Sequence, residues 1–386
     1  MRITHISLLS PYTDSSFYQE NQLSMQNAID GHDVQIIAPS EKYSKGVIVD
    51  DRKAKEYINE FGIKVIRIPV FNILTLKISQ KLRVYRNIIK SLNDFSPDII
   101  FFHGIGGFAS YTVSRYLRNH PQVNFYLDCH SDYENSASNW FSKYILHGIF
   151  HKMCFKSCSK YAKKIYYVTP ESLLFLNEVY SFNDKSKLEL LPLGGYKLSK
   201  EKRLANRNEI REELAIPENS VIFIHTGKLS NKRKTLELIK AFNNFQSTSA
   251  KLLIVGSFDS EINEIVKSEL EQNENIIYVG WKSTEELEKY LCASDVYVLP
   301  NSRTVTVQHA VCCGCALLIN RSLTYTSLFA NNALYAENES EIHANIKNIL
   351  NSPSIIETMK EKLSHIVDEQ LDYRLLANRY IKKIDS

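Results

Sequence analysis

The sequence predicts an α/β protein built from two doubly wound domains, each a parallel sheet with helices on both faces. Three observations carry that expectation. The 386 residues exceed what one ordinary hydrophobic core organises. Strand-like apolar runs alternate with amphipathic helical stretches along the whole chain. The alternation also restarts near residue 220, after a polar, charged segment.

The elements follow in order. RITHISLL alternates as a strand, the helix through QNAID stops at Gly31, and HDVQIIAPS makes the next strand, completing a βαβ unit. VIRIPVF, a basic helix from Lys77 to Leu92, the strand DIIFFHG and, after a further helix, the strand NFYLDCH extend it. Such sheets bind ligands at the carboxyl ends of their strands, where His103 and His130 fall. The second half begins with the strand SVIFIHTGKL and the helix TLELIKAFNNF. The strands KLLIVGS and NIIYVGW, the helix STEELEKYLCAS and the strand DVYVLP follow. PNSRTVTVQHAVCCG is a polar turn running into a helix from about Val305 to Cys313, and Gly314 turns the chain into ALLIN. The segment KLSKEKRLANRNEIREELAIPENS joins the halves, with a hinge expected at Leu193 to Lys200. The expected domains are 1–195 and 196–366. The rest, 367–386, holds the amphipathic DYRLLANRYIKKI and is expected to pack back across the junction as a helix.

Composition narrows the class. At 44% hydrophobic and 23% charged, the chain is of ordinary globular type, and no run reaches the roughly 20 apolar residues of a membrane span. The N-terminus lacks the pattern of a signal peptide, so a cytoplasmic protein is expected. Seven cysteines without a paired Cys-x-x-Cys framework read as reduced, buried thiols rather than disulfides or a zinc site. A net charge of +4 is too mild to mark a nucleic-acid binder.

Two stretches of the second half suit an anion. In IHTGKLSNKRKTLELIKAF a strand ends at Thr226, Gly227 permits a tight turn, and Lys228, Lys232, Arg233 and Lys234 surround the start of a helix. Free amides and cations there favour a diphosphate, although a solvated basic loop has the same composition. In the polar turn, Ser302, Thr304 and Thr306 with Val305 gather hydroxyls and amides before a helix, a pattern shared by phosphate cradles and plain N-caps.

The order Gly227-Lys228-Leu229, Arg233-Lys234, LIKAF, LLIVG, YVGW, ASDVYVLP and HAVCCG resembles the nucleotide-sugar-dependent glycosyltransferases of GT-B fold, family 4. The first half is similar more loosely, through its GHDV turn and PDIIFFHG strand. The resemblance implies transfer of a sugar from a nucleoside-diphosphate-sugar donor, UDP-sugar among the candidates, to a glycan or lipid-linked glycan, with retention at the anomeric carbon. It implies surface-polysaccharide assembly as the setting. Lys228 and Arg233 match the residues that hold the donor diphosphate, with Lys232 and Lys234 as competitors for the second role. They supply the positive charge, so neither metal nor cofactor is expected. Gly280 and Trp281 match the stretch facing the nucleobase, and Trp281 equally suits a core position. The family's Glu-x7-Glu pair falls on Asn301 and His309, neither a carboxylate. Gln308 and His309 keep hydrogen-bonding capacity toward a ribose, and Asn301 toward a sugar hydroxyl. A nucleotide-sugar epimerase or phosphorylase of the same fold, or an inactive scaffold, are the alternatives.

In the first half, the resemblance makes His130 a group reaching donor-sugar hydroxyls across the cleft. From the residues alone, His130 between Asp128 and Asp132 also fits a metal ligand or a hydrogen-bond hub. His103 is a second candidate, with Gly104, Gly106 and Gly107 allowing close approach of a ligand. Glu20 and Asn21, with Gln19 and Asp14, are acceptor-side candidates or plain helix-start residues. Finally, 135–170 carries six lysines, many aromatics and no Asp or Glu. It fits peripheral contact with an anionic membrane at the inner face, or a buried apolar face with solvated lysines.

Overall fold

The computed structural model describes residues 1–44, 47–73, 75–133, 136, 140–246 and 249–381. Asn135, heading the basic aromatic stretch, and the last five residues of the C-terminal segment lie outside them. The chain forms two units, Met1–Pro192 with Tyr373–Ser386 and Leu193–Asp372. The returning segment therefore starts at Tyr373, and among its described residues the α-helical turn is Tyr373–Leu376.

In the first unit β1 (Arg2–Ile6), β2 (Asp33–Pro39), β3 (Glu41–Ser44), β4 (Val47–Asp50), β5 (Lys55–Ile58), β6 (Lys64–Ile68), β7 (Ile99–His103), β8 (Asn124–Cys129), β9 (Ala162–Tyr167) and β10 (Leu188–Leu190) follow in sequence. Eight form one sheet in the order β10-β9-β8-β7-β1-β2-β6-β5, and β3 and β4 pair separately. Every pairing in the large sheet is parallel except β5 with β6. Helices cover both faces, so the central strands read as unbroken apolar runs: Ile99, Ile100, Phe101 and Phe102 are all fully buried. Burying each such side chain contributes about 1.5–3 kcal/mol.

The basic helix expected over Lys77 to Leu92 is two helices, Leu76–Leu82 and Ile88–Phe95. Arg83 and Asn87 between them are left-handed (φ 55° and 68°), and Tyr85 turns inward to donate its hydroxyl to Leu8 O at 3.0 Å. Burying Val84 and Tyr85 is the gain that interrupts the helical periodicity.

The second unit orders β11 (Ile222–Leu229), β12 (Lys251–Phe258), β13 (Ile276–Gly280), β14 (Val296–Leu299), β15 (Ala316–Ile319) and β16 (Leu334–Tyr335) as β13-β12-β11-β14-β15-β16, all parallel. Strand order reverses at β11/β14, the place where open parallel sheets hold ligands. The linker forms the helix Lys200–Glu213, capped by Ser199, and its Arg207 and Arg211 grip buried Asp295 at 3.0 Å each. All seven cysteines are buried and outside any disulfide. Among the described residues, no helix is long and apolar enough to cross a membrane.

Candidate functional site

In the second unit, the carboxyl end of β11 is shaped by a pair of glycines. Gly227 and Gly256 stand in register on β11 and β12, and a Cβ on Gly256 would lie 1.9 Å from Gly227 O. Gly227 (φ +106°) then turns the chain. The Arg233 guanidinium folds over it, 2.6 Å from where a Cβ would sit, and donates from Nη1 to Thr226 O at 2.8 Å. Buried His225 fixes the turn from below. Its Nδ1 faces the carbonyl of Val298 (2.8 Å) and so carries the proton, leaving Nε2 to accept from Thr235 Oγ1 (3.0 Å). Burial pushes this ring down to about 4, so it stays neutral and the tautomer is fixed. Thr235 starts the helix Thr235–Phe242, and the basic turn is thereby tied to two strands.

The cations divide by role. Arg233 is half-buried and held in place, while Lys228 is exposed and only loosely paired with Asp259 at 3.4 Å. Lys234, left-handed at φ 55°, sends its ammonium to Glu337 O. Lys232 is exposed, and its carbonyl accepts from Asn301 Nδ2 at 3.0 Å. That bond joins the polar turn after β14 to the basic turn, so the two anion-suited stretches flank one place.

In the polar turn Ser302 takes φ 95°, Thr304 N donates to Tyr325 Oη at 3.0 Å, and Thr304 and Thr306 hydroxyls lie 3.2 Å apart. The helix runs from Thr306 to Cys312, with Val305 as its cap residue. Gln308 and His309 are buried within it. His309 Nε2 lies 3.8 Å from the Glu288 carboxylate on the helix Thr284–Ala293, and Lys202 reaches that carboxylate at 2.8 Å. His309 and Lys202 hold Glu288 below the usual carboxylate range against the opposing effect of partial burial. A negative charge thus does stand beside His309, supplied by a residue 21 positions earlier that sequence reasoning missed. Trp281 is 68% exposed beyond Gly280 (φ +74°), which removes the core reading of that side chain.

In the first unit, buried polar side chains form one network at the carboxyl ends of β1, β7 and β8. Asp128, fully buried, accepts from Gly104 N at 2.6 Å and His103 Nδ1 at 2.7 Å, and pairs with His130 Nε2 at 3.3 Å. His103 Nε2 meets His5 Nδ1 at 3.0 Å, and His5 Nε2 donates to Asn27 Oδ1 at 3.0 Å, which also accepts from Tyr380 Oη at 2.6 Å. The two rings thus link the Asp128 carboxylate to the Asn27 amide through one continuous hydrogen-bonded chain. Burial pushes the His5 ring down to about 3.

His130 keeps 35% of its side chain accessible, unlike its partners. Burial opposes its charge, but Asp128 outweighs that effect and holds the ring above its ordinary value, and Glu20 adds in the same direction. The His103, Asp128 and His130 ligand atoms lie within 4.8 Å of one another, yet those of His103 and Asp128 are engaged with protein donors and acceptors. The cluster is a hydrogen-bond hub.

Several of the remaining first-unit candidates make contacts within the unit. Asn21 is buried and donates to Thr13 O at 3.0 Å, Gln19 to Leu191 and Pro192 carbonyls, and Asp14 pairs with Arg67 at 2.7 Å. Of that loop, Glu20 alone comes within electrostatic reach of His130. Asp132 is buried two residues beyond His130. Gly104, Gly106 and Gly107 admit Leu9, His151 and Arg83 side chains, not a ligand.

The two sheets define the class: a pair of doubly wound α/β units of the GT-B kind, with a cationic turn on the second. Residues 206–365, most of the second unit, match the family model described as glycosyl transferases group 1. No curated protein matches the sequence. Among solved structures, the chain is similar to a sucrose-phosphate synthase from Thermosynechococcus elongatus (TM-score 0.70, 16% identity, 100% of this chain and 98% of that one). It is similar also to WaaG, a glycosyltransferase involved in lipopolysaccharide biosynthesis (TM-score 0.65, 14% identity, 99% and 98%). A third similar structure is Anabaena HepE in complex with UDP-glucose (TM-score 0.67, 11% identity, 100% and 99%). These likenesses establish the fold.

Proposed function

We propose that the protein is a glycosyltransferase that takes a sugar from a nucleoside-diphosphate sugar, a UDP-sugar by analogy with HepE, and transfers it to a glycan or lipid-linked glycan of surface-polysaccharide type. The observation that carries the reading is the Asn301–Lys232 bond, which sets the hydroxyls of Thr304 and Thr306 beside a turn bearing Arg233 and Lys228. Arg233, already desolvated on one side and fixed by Thr226 O, is preorganised to meet charge that grows on a leaving diphosphate. Lys228, exposed beside them, meets the same phosphates from the solvent side.

With the phosphates neutralised by two cations, departure of the diphosphate needs no metal. The diphosphate itself serves as the base that takes the acceptor hydroxyl's proton, which matches the absence of a carboxylate at Asn301 and fits retention at the anomeric carbon. Trp281 and Gly280 offer an exposed ring and an open backbone to a base, and the His309–Glu288 pair offers both donor and acceptor to a ribose. In the first unit, His130, held by Asp128 and partly accessible, offers a hydrogen-bonding ring to a sugar hydroxyl.

Thermal denaturation with UDP, GDP, CDP and their glucose conjugates tests the reading. A nucleotide at 100 times its Kd adds roughly 2.7 kcal/mol. Stabilisation by one nucleotide series, and its loss in Arg233→Ala, is expected. No response to any of them refutes the proposal.

A further inference from the structure

The first unit carries a charge asymmetry that the donor site does not use. Residues 61–170 hold fifteen Lys and Arg against five Asp and Glu, a local +10 in a chain of net +4, so the other 276 residues are net −6. An apolar ridge rises within this cationic region. Ser142–His151 is a π-helix, continued by the helix Lys152–Ser159. In an i→i+5 helix, residues four and five apart share a face. Trp140, Phe141, Tyr144, Ile145, Ile149 and Met153 follow that spacing, and all are exposed, Trp140 by 68% and Met153 by 67%. The opposite edge is anchored: His147 Nδ1 bonds Tyr180 Oη at 3.0 Å, and His151 Nδ1 accepts from Gly107 N at 2.7 Å.

Gly106 and Gly107 pack against His151 and Arg83, which brings the end of the helix Leu76–Leu82 to the same place. That helix exposes Ile78 between Lys77 and Lys81, and Phe108 and Tyr111 are exposed on the helix Gly107–Asn119. Lys156 stands exposed at the ridge.

We propose that this face docks onto a bilayer leaflet rich in anionic lipid, the ridge entering the acyl boundary while Lys77, Lys81 and Lys156 meet headgroup phosphates. Charge complementarity selects an anionic surface, and the aromatic and aliphatic ridge selects lipid over a nucleic-acid backbone, which offers no apolar layer. The inference stands on unit-one residues and is independent of the donor reading.

The probe is Trp140 fluorescence in a Trp281→Phe background, where it is the sole indole, since the chain has two tryptophans. Phosphatidylcholine vesicles with and without phosphatidylglycerol are added, their acyl chains carrying bromine as quencher. The expected result is a blue shift and acyl-chain quenching with anionic vesicles alone. Partitioning should be on the order of a hundredfold tighter than to neutral vesicles and lost in Lys77→Gln/Lys81→Gln/Lys156→Gln. Equal partitioning to neutral vesicles, binding without quenching, the same shift on adding single-stranded DNA, or a lipid-free dimer with that shift would each overturn it. Nucleotide-induced stabilisation of the lipid-free protein, measured on the wild-type chain, reports separately on the donor reading.

Discussion

Replacing Asp128 by asparagine tests how the first unit holds His130. The carboxylate is fully buried, takes hydrogen bonds from Gly104 N and His103 Nδ1, and faces His130 Nε2 at 3.3 Å. An asparagine supplies one acceptor and one N–H pair, so a donor faces a donor on one side and the buried charge that His103 and His130 both face is lost. Breaking a buried pair in this way costs about 3–5 kcal/mol, which lowers Tm by roughly 6–20 °C for a unit of this size. The His130 share is smaller, at most about 1 kcal/mol, because 35% of that side chain stays in water.

The pH dependence has a definite sign. Asp128 is held below its ordinary value, so its contribution is present above about pH 4 and lost as pH falls. His130 is held above 6.5, so its contribution is complete below 6.5 and lost as pH rises through the raised value. Wild-type stability should therefore fall on the alkaline side of 6.5. In Asp128→Asn burial is opposed only by the smaller effect of Glu20, so the His130 titration falls and that alkaline slope shrinks or reverses. Histidine NMR titration of both proteins, with thermal denaturation across pH, reads both effects. A His130 titration unmoved by Asp128→Asn would refute the reasoning.

Three further outcomes follow from the second unit. Arg233→Ala should fold, since its side chain anchors through one carbonyl, but lose nucleotide stabilisation and drop kcat/KM on the order of a hundredfold or more, measured by release of nucleoside diphosphate. Gly256→Ala places a methyl 1.9 Å from Gly227 O and should cost about 1–3 kcal/mol in denaturant unfolding while weakening nucleotide binding, because Gly227 must move. His309→Glu should not restore the family's carboxylate but destabilise, since it sets a second negative charge beside Glu288. Adding Glu288→Gln should recover the lost Tm, and failure of that rescue would place the damage elsewhere.

Much of this was legible in the sequence because it rests on local signals. The strand–helix alternation and Gly227 with the cations after it are written in contiguous residues, and the turn they encode is the one the structure contains. The rest depends on contacts between distant positions. Glu288 meets His309 across two helices, and neither segment marks its partner. The His5–His103–Asp128 chain runs through three strands, although one sign was present: a histidine inside a strand buried on both faces demands a hydrogen-bond partner. The break at Arg83 escaped notice because the apolar spacing from Lys77 to Leu92 suits a helix, and only Tyr85 reaching Leu8 O interrupts it.

Tyr380 has a consequence for biosynthesis. Its ring lies 4.7 Å from Phe101 and its hydroxyl binds Asn27, while Arg379 donates to Leu190 O. The N-terminal unit thus receives a wholly buried part of its interior from a segment synthesised after the whole second unit. During translation the second unit has its complete sequence outside the ribosome first, and the unit begun earliest waits for the segment that follows Asp372. A nascent chain arrested just before Tyr373 should therefore expose the first unit to proteases and chaperones while the second is already resistant.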